Sequence, residues 1–273
     1  MKDQQLNKSR KPEWVISKEK QLEKNLPRRV WLYGIHAVRD AIKNQNRVKH
    51  KLMLTENAHK KIRDFLTTSS LFPEIFHPRK FLPPLEINAV HQGVALEVSP
   101  LNWGSISEVC APHNDNKLVL LLDRVTDPQN VGAILRSAEV FGATAVATAA
   151  RYSAPETGAL AKAASGSLER QPYLRVPNLA RAILSLKQMG YFCIGLDSSS
   201  NVDIADGLEK IPKGPVALIV GAEGSGLREL TMKNCDKIFK IKSFGTFGSL
   251  NVSNAAAISL FITRTQQNSW QSD

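Results

Sequence analysis

The chain has no histidine after His113; all six (His36, His50, His59, His77, His91 and His113) precede residue 117. The second half therefore has no imidazole of its own to act as general base, to activate a serine or to bind a metal. Cysteine is scarce as well. Cys110, Cys193 and Cys235 are an odd number without paired spacing. They predict free thiols in a reducing compartment and no zinc site. No apolar run reaches the ~18 residues that a membrane span needs. The charged N-terminus lacks the apolar stretch of a secretory signal. A cytoplasmic protein without membrane contact is the expectation.

Two nucleotide-binding patterns are missing too. The glycine-rich segment Gly221–Leu227 does not end in the Lys-Ser/Thr of a P-loop, and no G-x-G-x-x-G opens a helix after the first strand. Nucleoside triphosphates and dinucleotides are therefore disfavoured.

Positive charge is abundant but uneven. Net charge is +11, with 36 Lys+Arg against 25 Asp+Glu. Residues 1–80 hold 19 of the basic and 8 of the acidic residues, so the remainder is balanced. A basic segment of this kind is either a polyanion footprint or a plainly solvated surface. Hydrophobic residues make up 42% of the chain, enough to fill a core.

The pattern divides the chain into four stretches. Residues 1–29, polar apart from Trp14, Val15 and Ile16, predict a tail. Residues 30–99 predict a small mixed domain. Its strands are Val30–Tyr33, Val48–Leu54 and Val94–Val98, and its helices are Gly34–Lys43 and His59–Leu66; Pro73, Pro78, Pro83 and Pro84 interrupt it. Residues 100–116 predict a linker. From Lys117 to the end, apolar strands (Leu118–Leu122, Ala143–Ala149, Tyr191–Leu196, Val216–Val220, Lys237–Ile241) alternate with helices (Val131–Phe141, Pro155–Ser165, Asn178–Met189, Asn251–Thr265). That alternation predicts an α/β domain with a mostly parallel sheet and helices on both faces.

Three polar segments follow or close these apolar runs. They are Asp127-Pro-Gln-Asn130-Val-Gly-Ala-Ile-Leu-Arg136, Gly221-Ala222-Glu223-Gly224-Ser225-Gly226-Leu227 and Ser249-Leu250-Asn251-Val252-Ser253. Strand ends are where open α/β sheets bind ligands. Each residue also has a plainer explanation. Asn130, Ser249, Asn251 and Ser253 suit helix caps, Glu223 suits a helix N-terminus, and Arg136 could pair with Glu139. Capping accounts for one of Ser249, Asn251 and Ser253 but not for all of them. Arg136 lies among Val131, Ala133, Ile134, Leu135, Ala138 and Val140, where burying a charge would be costly.

Together the three segments resemble the three motifs of the SpoU-type RNA ribose 2′-O-methyltransferases of the SPOUT superfamily. Tyr33-Gly34-Ile35-His36-Ala37-Val38 and His91-Gln92-Gly93-Val94 resemble the opening and close of the ribosomal-protein-like RNA-binding module that precedes the catalytic domain in many members. The resemblance implies a trefoil knot, bound S-adenosylmethionine and a homodimer with each site close to the subunit interface. It implies catalytic roles for Asn130, Arg136, Glu223, Ser249 and Asn251. It places Leu196, Gly221, Ala222, Gly226, Ile241 and Leu250 at the cofactor, with no metal. Asn254 and Ala257 depart from the Val and Gly of many members. The implied activity is methyl transfer to a ribose 2′-hydroxyl of RNA, with a guanosine of large-subunit ribosomal RNA as the leading substrate. A transfer-RNA substrate, or a non-catalytic RNA-binding assembly factor, is the alternative. Arg136 would either activate the hydroxyl or clamp an RNA phosphate and stabilise the developing alkoxide.

Overall fold

A computed structural model describes residues 29–66, 71–111, 117–246 and 248–270. The predicted tail lies outside them except for Arg29, as do residues 112–116 of the predicted linker.

The N-terminal part runs β1 (Val30–Tyr33), α1 (Ile35–Lys43), β2 (Lys49–Thr55), α2 (Glu56–Leu66), β3 (Pro73–Phe76) and β4 (Val94–Val98). Its sheet has the order β1-β4-β2-β3. β3 pairs parallel to β2, and the other two pairings are antiparallel. The pattern predicts no strand at Pro73, because proline reads as a break. The strand forms at the sheet edge, starting on the proline, where the missing N–H removes no bond from the ladder. α2 starts at Glu56, three residues before the predicted His59, because Thr55 Oγ1 accepts from the Ala58 N–H at 3.4 Å.

The linker stretch contains a one-turn helix, α3 (Ile106–Val109), closed by a reciprocal capping box between Ser105 and Glu108. Beyond it come β5 (Leu118–Asp123), α4 (Pro128–Val140), β6 (Ala145–Ala149), α5 (Gly158–Ala164), β7 (Tyr173–Val176), α6 (Leu179–Gln188), β8 (Phe192–Leu196), α7 (Ile204–Leu208), β9 (Val216–Gly221), α8 (Glu229–Asn234), β10 (Lys237–Phe239) and α9 (Val252–Ser269). The six strands lie in the order β10-β8-β9-β5-β6-β7, and every neighbouring pair is parallel. The run of β5 is continuously apolar because it is buried on both faces. Leu118, Leu120 and Leu122 join the core under α4, α5 and α9, while Val119 and Leu121 join the one under α6. Cys193 belongs to that second core, and all three cysteines are free.

The first core does not stop at the predicted linker. It runs from Leu32, Val38 and Leu96 through Leu160 and Ala164 to Leu120 and Ile134. Gly158 marks one close approach: a Cβ there would overlap the Trp31 carbonyl oxygen and stand 2.5 Å from the Tyr33 ring. Two ion clusters reinforce the seam. Arg47, whose side chain is fully buried, pairs with Glu156 and, at 2.6 Å, with Glu169. Arg170 pairs with Asp40 at 2.7 Å and with Glu139.

The second cluster carries a pH dependence. Burial pushes the Asp40 carboxyl up, but hydrogen bonds and charge from Arg39 and Arg170 outweigh it, so the group titrates below its ordinary range. The hydrogen bond from Arg170 holds Glu139 low, against partial burial. Depressed carboxylates stabilise the fold fully above their unfolded pKa, about 4, and that stability is lost as pH falls through the lower folded values. The thermal midpoint is therefore expected to decline below about pH 4, and less steeply in Arg170→Met. Parallel melting curves of the two proteins across that range check it; equal slopes would remove Arg170 from the effect.

Candidate active site

The carboxyl ends of β5, β8 and β9 lie side by side, and the three polar segments meet there. Asp127, not Asn130, caps α4, its carboxylate accepting from the backbone N–H groups of Gln129 and Asn130. Asn130 is thus the third residue of α4, with its side chain available for other work. The Asn130 Nδ2 donates to Glu223 Oε1 at 3.2 Å. Asn251 Nδ2 donates to Asn130 Oδ1 at 2.9 Å and to the same Glu223 oxygen at 2.5 Å. The Val252 backbone N–H reaches that oxygen too, at 3.4 Å. Glu223 thus stands at the N-terminus of α9 and is also the shared acceptor that ties three distant segments together.

Asn251 has two tasks, because its Oδ1 also caps α9 through the Ser253 N–H at 2.9 Å. Ser253 Oγ donates to the same oxygen. The Ser253 hydroxyl is therefore used in holding Asn251.

Beside this cluster lies a cavity of about 480 Å³. Leu196, Gly221, Ala222, Gly226, Ile241 and Leu250 all line it, as do Glu223 and Ser249. Gly221 has a steric reason to be glycine: a Cβ would overlap the Gly226 carbonyl group and sit 2.5 Å from the Leu227 nitrogen. The chain doubles back there through the Gly226 N–H to Ala222 carbonyl bond at 3.0 Å. Gly226 has φ +61°, and a Cβ on it would lie 2.7 Å from Asp197 Oδ2.

Asp197, which also lines the cavity, was missed by the sequence reading. It directly follows Leu196 at the end of β8, so the rule that ligands gather at strand ends applied to it equally. Burial pushes its carboxyl up, but hydrogen bonds from Ser199 and from the Leu227 N–H prevail and hold it below the ordinary range. An anionic acceptor thus faces the cavity. Asp123, closing β5 opposite Gly221, is a second missed residue. It is buried and anchors the start of α8, accepting from Arg228 Nε at 2.7 Å and from Thr231 Oγ1 at 2.6 Å.

Arg136 does not join the cluster. It is six residues beyond Asn130 on α4, hence about 9 Å along the axis and a third of a turn round it. No burial cost arises, because Arg136 is exposed, while Val131, Ile134, Leu135 and Ala138 form the buried stripe. Nor does it pair with Glu139, which Arg170 holds instead. Val140 lies one turn on, and Ile258 and Phe261 of the adjoining α9 are exposed as well. Among the described residues no cluster of His, Cys, Asp and Glu is arranged to hold a metal.

Fold and site define an α/β domain with an open cavity at the carboxyl ends of its central strands. The sequence profile of the SpoU rRNA methylase family matches residues 117–261, and that of the RNA 2′-O ribose methyltransferase substrate-binding domain matches residues 31–104. The chain belongs to the SpoU family. It is 36% identical over 237 residues to the 23S rRNA (guanosine-2′-O-)-methyltransferase RlmB of Vibrio vulnificus, covering 85% of this chain and 94% of that one. Identity to the protein of the same name in Pseudomonas putida is also 36%, over 84% and 94% of the two chains. Among solved structures, the SpoU methyltransferase AviRb of Streptomyces viridochromogenes with AdoMet superposes with a TM-score of 0.74, at 24% identity, over 88% and 91% of the two chains. The AdoMet-bound rRNA methyltransferase of Sinorhizobium meliloti gives 0.70 at 21% identity, over 91% and 90%.

Proposed function

We propose that the protein transfers a methyl group from S-adenosylmethionine to the 2′-hydroxyl of a guanosine ribose in large-subunit ribosomal RNA. One observation carries the reading: Asn130, Glu223 and Asn251, up to 121 residues apart in the chain, form one hydrogen-bonded cluster beside a glycine-walled cavity. The relatives whose names state this reaction match nearly their whole length.

The cavity suits the cofactor. Gly221 and Gly226 let backbone close around a ligand, Asp197 offers an anionic acceptor, and Lys240 and Lys242 offer cationic donors for a carboxylate. Bound there, S-adenosylmethionine would supply an electrophilic methyl on its sulfonium. The chain's own residues align and polarise the acceptor. Glu223 fixes the Gly221–Leu227 loop against α4 and α9, and alignment of this kind can supply up to ~7–11 kcal/mol of barrier reduction. Ser249, exposed at the cavity wall and without a hydrogen-bond partner among the described residues, is free to position the ribose.

Arg136 clamps a phosphate and stabilises the alkoxide as it forms, while the hydroxyl's proton passes to water and S-adenosylhomocysteine is the leaving group. A guanidinium gives up its proton only above pH ~12, so electrostatic work suits it better than base catalysis. Its absence from the cavity lining within one chain supports a homodimer. A second copy seated on Arg136, Val140, Ile258 and Phe261 would cover exposed apolar surface and bring Arg136 of the partner subunit towards the pocket. The parallel-sheet domain is read as carrying a trefoil knot, a threading that folds in general avoid. Residues 30–99 are read as the RNA-holding unit, with Lys60, Lys61 and Arg63 exposed on α2. The cytoplasm is the proposed compartment.

Removing residues 1–99 would not test that unit cleanly, since it would strip partners from Glu156, Glu169 and Gly158. The direct test incubates the full chain with radiolabelled S-adenosylmethionine and either 23S ribosomal RNA or transfer RNA, followed by mapping of 2′-O-methyl sites. Label on a single guanosine of 23S RNA is expected. Label on transfer RNA alone would replace the substrate, and none on either would leave an RNA-binding factor.

A further inference from the structure

Two bulky side chains at the rim of the six-stranded sheet share an unusual backbone. Arg124 has φ 61° and Tyr152 has φ 60°, in the left-handed region that such residues seldom occupy. The two touch each other, the Arg124 guanidinium carbon lying 5.7 Å from the centre of the Tyr152 ring. Strained conformations persist where the surroundings enforce them, and they concentrate at functional sites.

The surroundings here do enforce them. Arg124 directly follows Asp123, which is locked to Arg228 and Thr231. Tyr152 lies in the loop after β6, and that loop is braced from beneath. Arg175 donates to the carbonyls of Ala150 and, at 3.0 Å, Ala154. The Tyr173 hydroxyl donates to the Ala154 carbonyl at 2.8 Å, and the Ala154 N–H donates to the Val125 carbonyl at 3.4 Å. This bracing holds the backbone and leaves the outward side chains alone. Tyr152 is 73% exposed, and Arg124 and Arg151 are exposed too. Neither arginine has an ion-pair partner among the described residues.

β5 and β6 are parallel neighbours, so both loops leave the sheet at the same end. α4, with Asn130, begins at that end. The rigid pair gains no burial and no internal salt bridge, so its use is outward.

We propose that Arg124, Arg151 and Tyr152 form a stacking platform for an unpaired RNA base close to the methylated nucleotide, with the two guanidinium groups reaching the flanking phosphates. Aromatic rings and guanidinium planes are the surfaces on which proteins stack splayed bases, whatever the base identity. A guanidinium against a ring adds a cation–π contribution, and a free one matches phosphate bidentately. The inference rests on the RNA methyltransferase reading and extends it. It puts a base contact on the catalytic side of the molecule, separate from residues 30–99.

The test uses the full chain, a 23S ribosomal RNA transcript, filter binding and labelled methyl transfer. Tyr152→Ala is expected to weaken RNA binding roughly tenfold, in the range of one stacked base. Tyr152→Phe is expected to keep wild-type affinity, and S-adenosylmethionine affinity should be the same in all three proteins. Arg124→Gly, which removes the side chain but suits the backbone, is expected to weaken RNA binding as well. Wild-type RNA affinity in both Tyr152→Ala and Arg124→Gly would overturn the platform, including in favour of a protein partner at this rim. So would a loss in Tyr152→Phe equal to that in Tyr152→Ala. If the wild type methylates no RNA, the functional reading fails, while the affinities still judge the platform.

Discussion

Arg136→Ala is expected to lose methyl transfer by about 10²–10³-fold or more while binding S-adenosylmethionine almost as the wild type does. The split follows from position. Arg136 is outside the cavity wall and on the exposed side of α4, so its removal disturbs neither the Gly221–Leu227 loop nor the Asn130–Glu223–Asn251 cluster. On the proposed mechanism its charge acts only where a phosphate and a forming alkoxide meet. Arg136→Lys keeps the charge but loses the planar fork, and should recover part of the rate. Single-turnover transfer and calorimetric cofactor binding measure the two quantities separately. Full turnover in Arg136→Ala would take the residue out of the chemistry. The same variant addresses the dimer. Mixing it with chains inactivated at Asn251 is expected to restore some activity if Arg136 works across the interface, and none if it works within its own chain.

Gly221→Ala is expected to weaken cofactor binding by roughly one to two orders of magnitude, corresponding to an overpacking cost of about 1–3 kcal/mol. The added methyl has no flexible neighbour to push aside; it meets the backbone of Gly226 and Leu227. The turn between Ala222 and Gly226 must open, and Glu223 moves with it, away from Asn130 and Asn251. Methylation should fall with binding, and the thermal midpoint should drop less than a core truncation would lower it. Isothermal titration with S-adenosylmethionine decides it: wild-type affinity in Gly221→Ala would mean that this loop does not grip the ligand.

Much of the site was legible before any coordinates, because its chemistry is concentrated in short segments at the ends of apolar strands. Asn130, Glu223 and Asn251 share one hydrogen-bonded cluster, and Leu196, Gly221, Ala222, Gly226, Ile241 and Leu250 line one cavity. The misses have physical causes. α7 and α8 are 5 and 6 residues long, too short for a helical period to show. β7 has 4 residues and carries Arg175 in the middle, so no apolar run announces it. Arg136 has mostly apolar neighbours in the chain, so sequence alone leaves its exposure open. On a helix the neighbours that count are three and four residues away, and the buried stripe passes it by.

Residue type and order alone determined the class of the protein. Continuously apolar strands dictate a parallel sheet buried on both faces, and glycine, asparagine and glutamate at their ends mark the candidate site in a half that has no histidine. Tertiary structure alone decided the partners: that Arg170 takes Glu139 from Arg136, that Arg47 is sunk between Glu156 and Glu169, and that the two halves share one core. Such pairings depend on which surfaces come within a few ångströms after folding, and local pattern carries no information about distances between elements far apart in the chain.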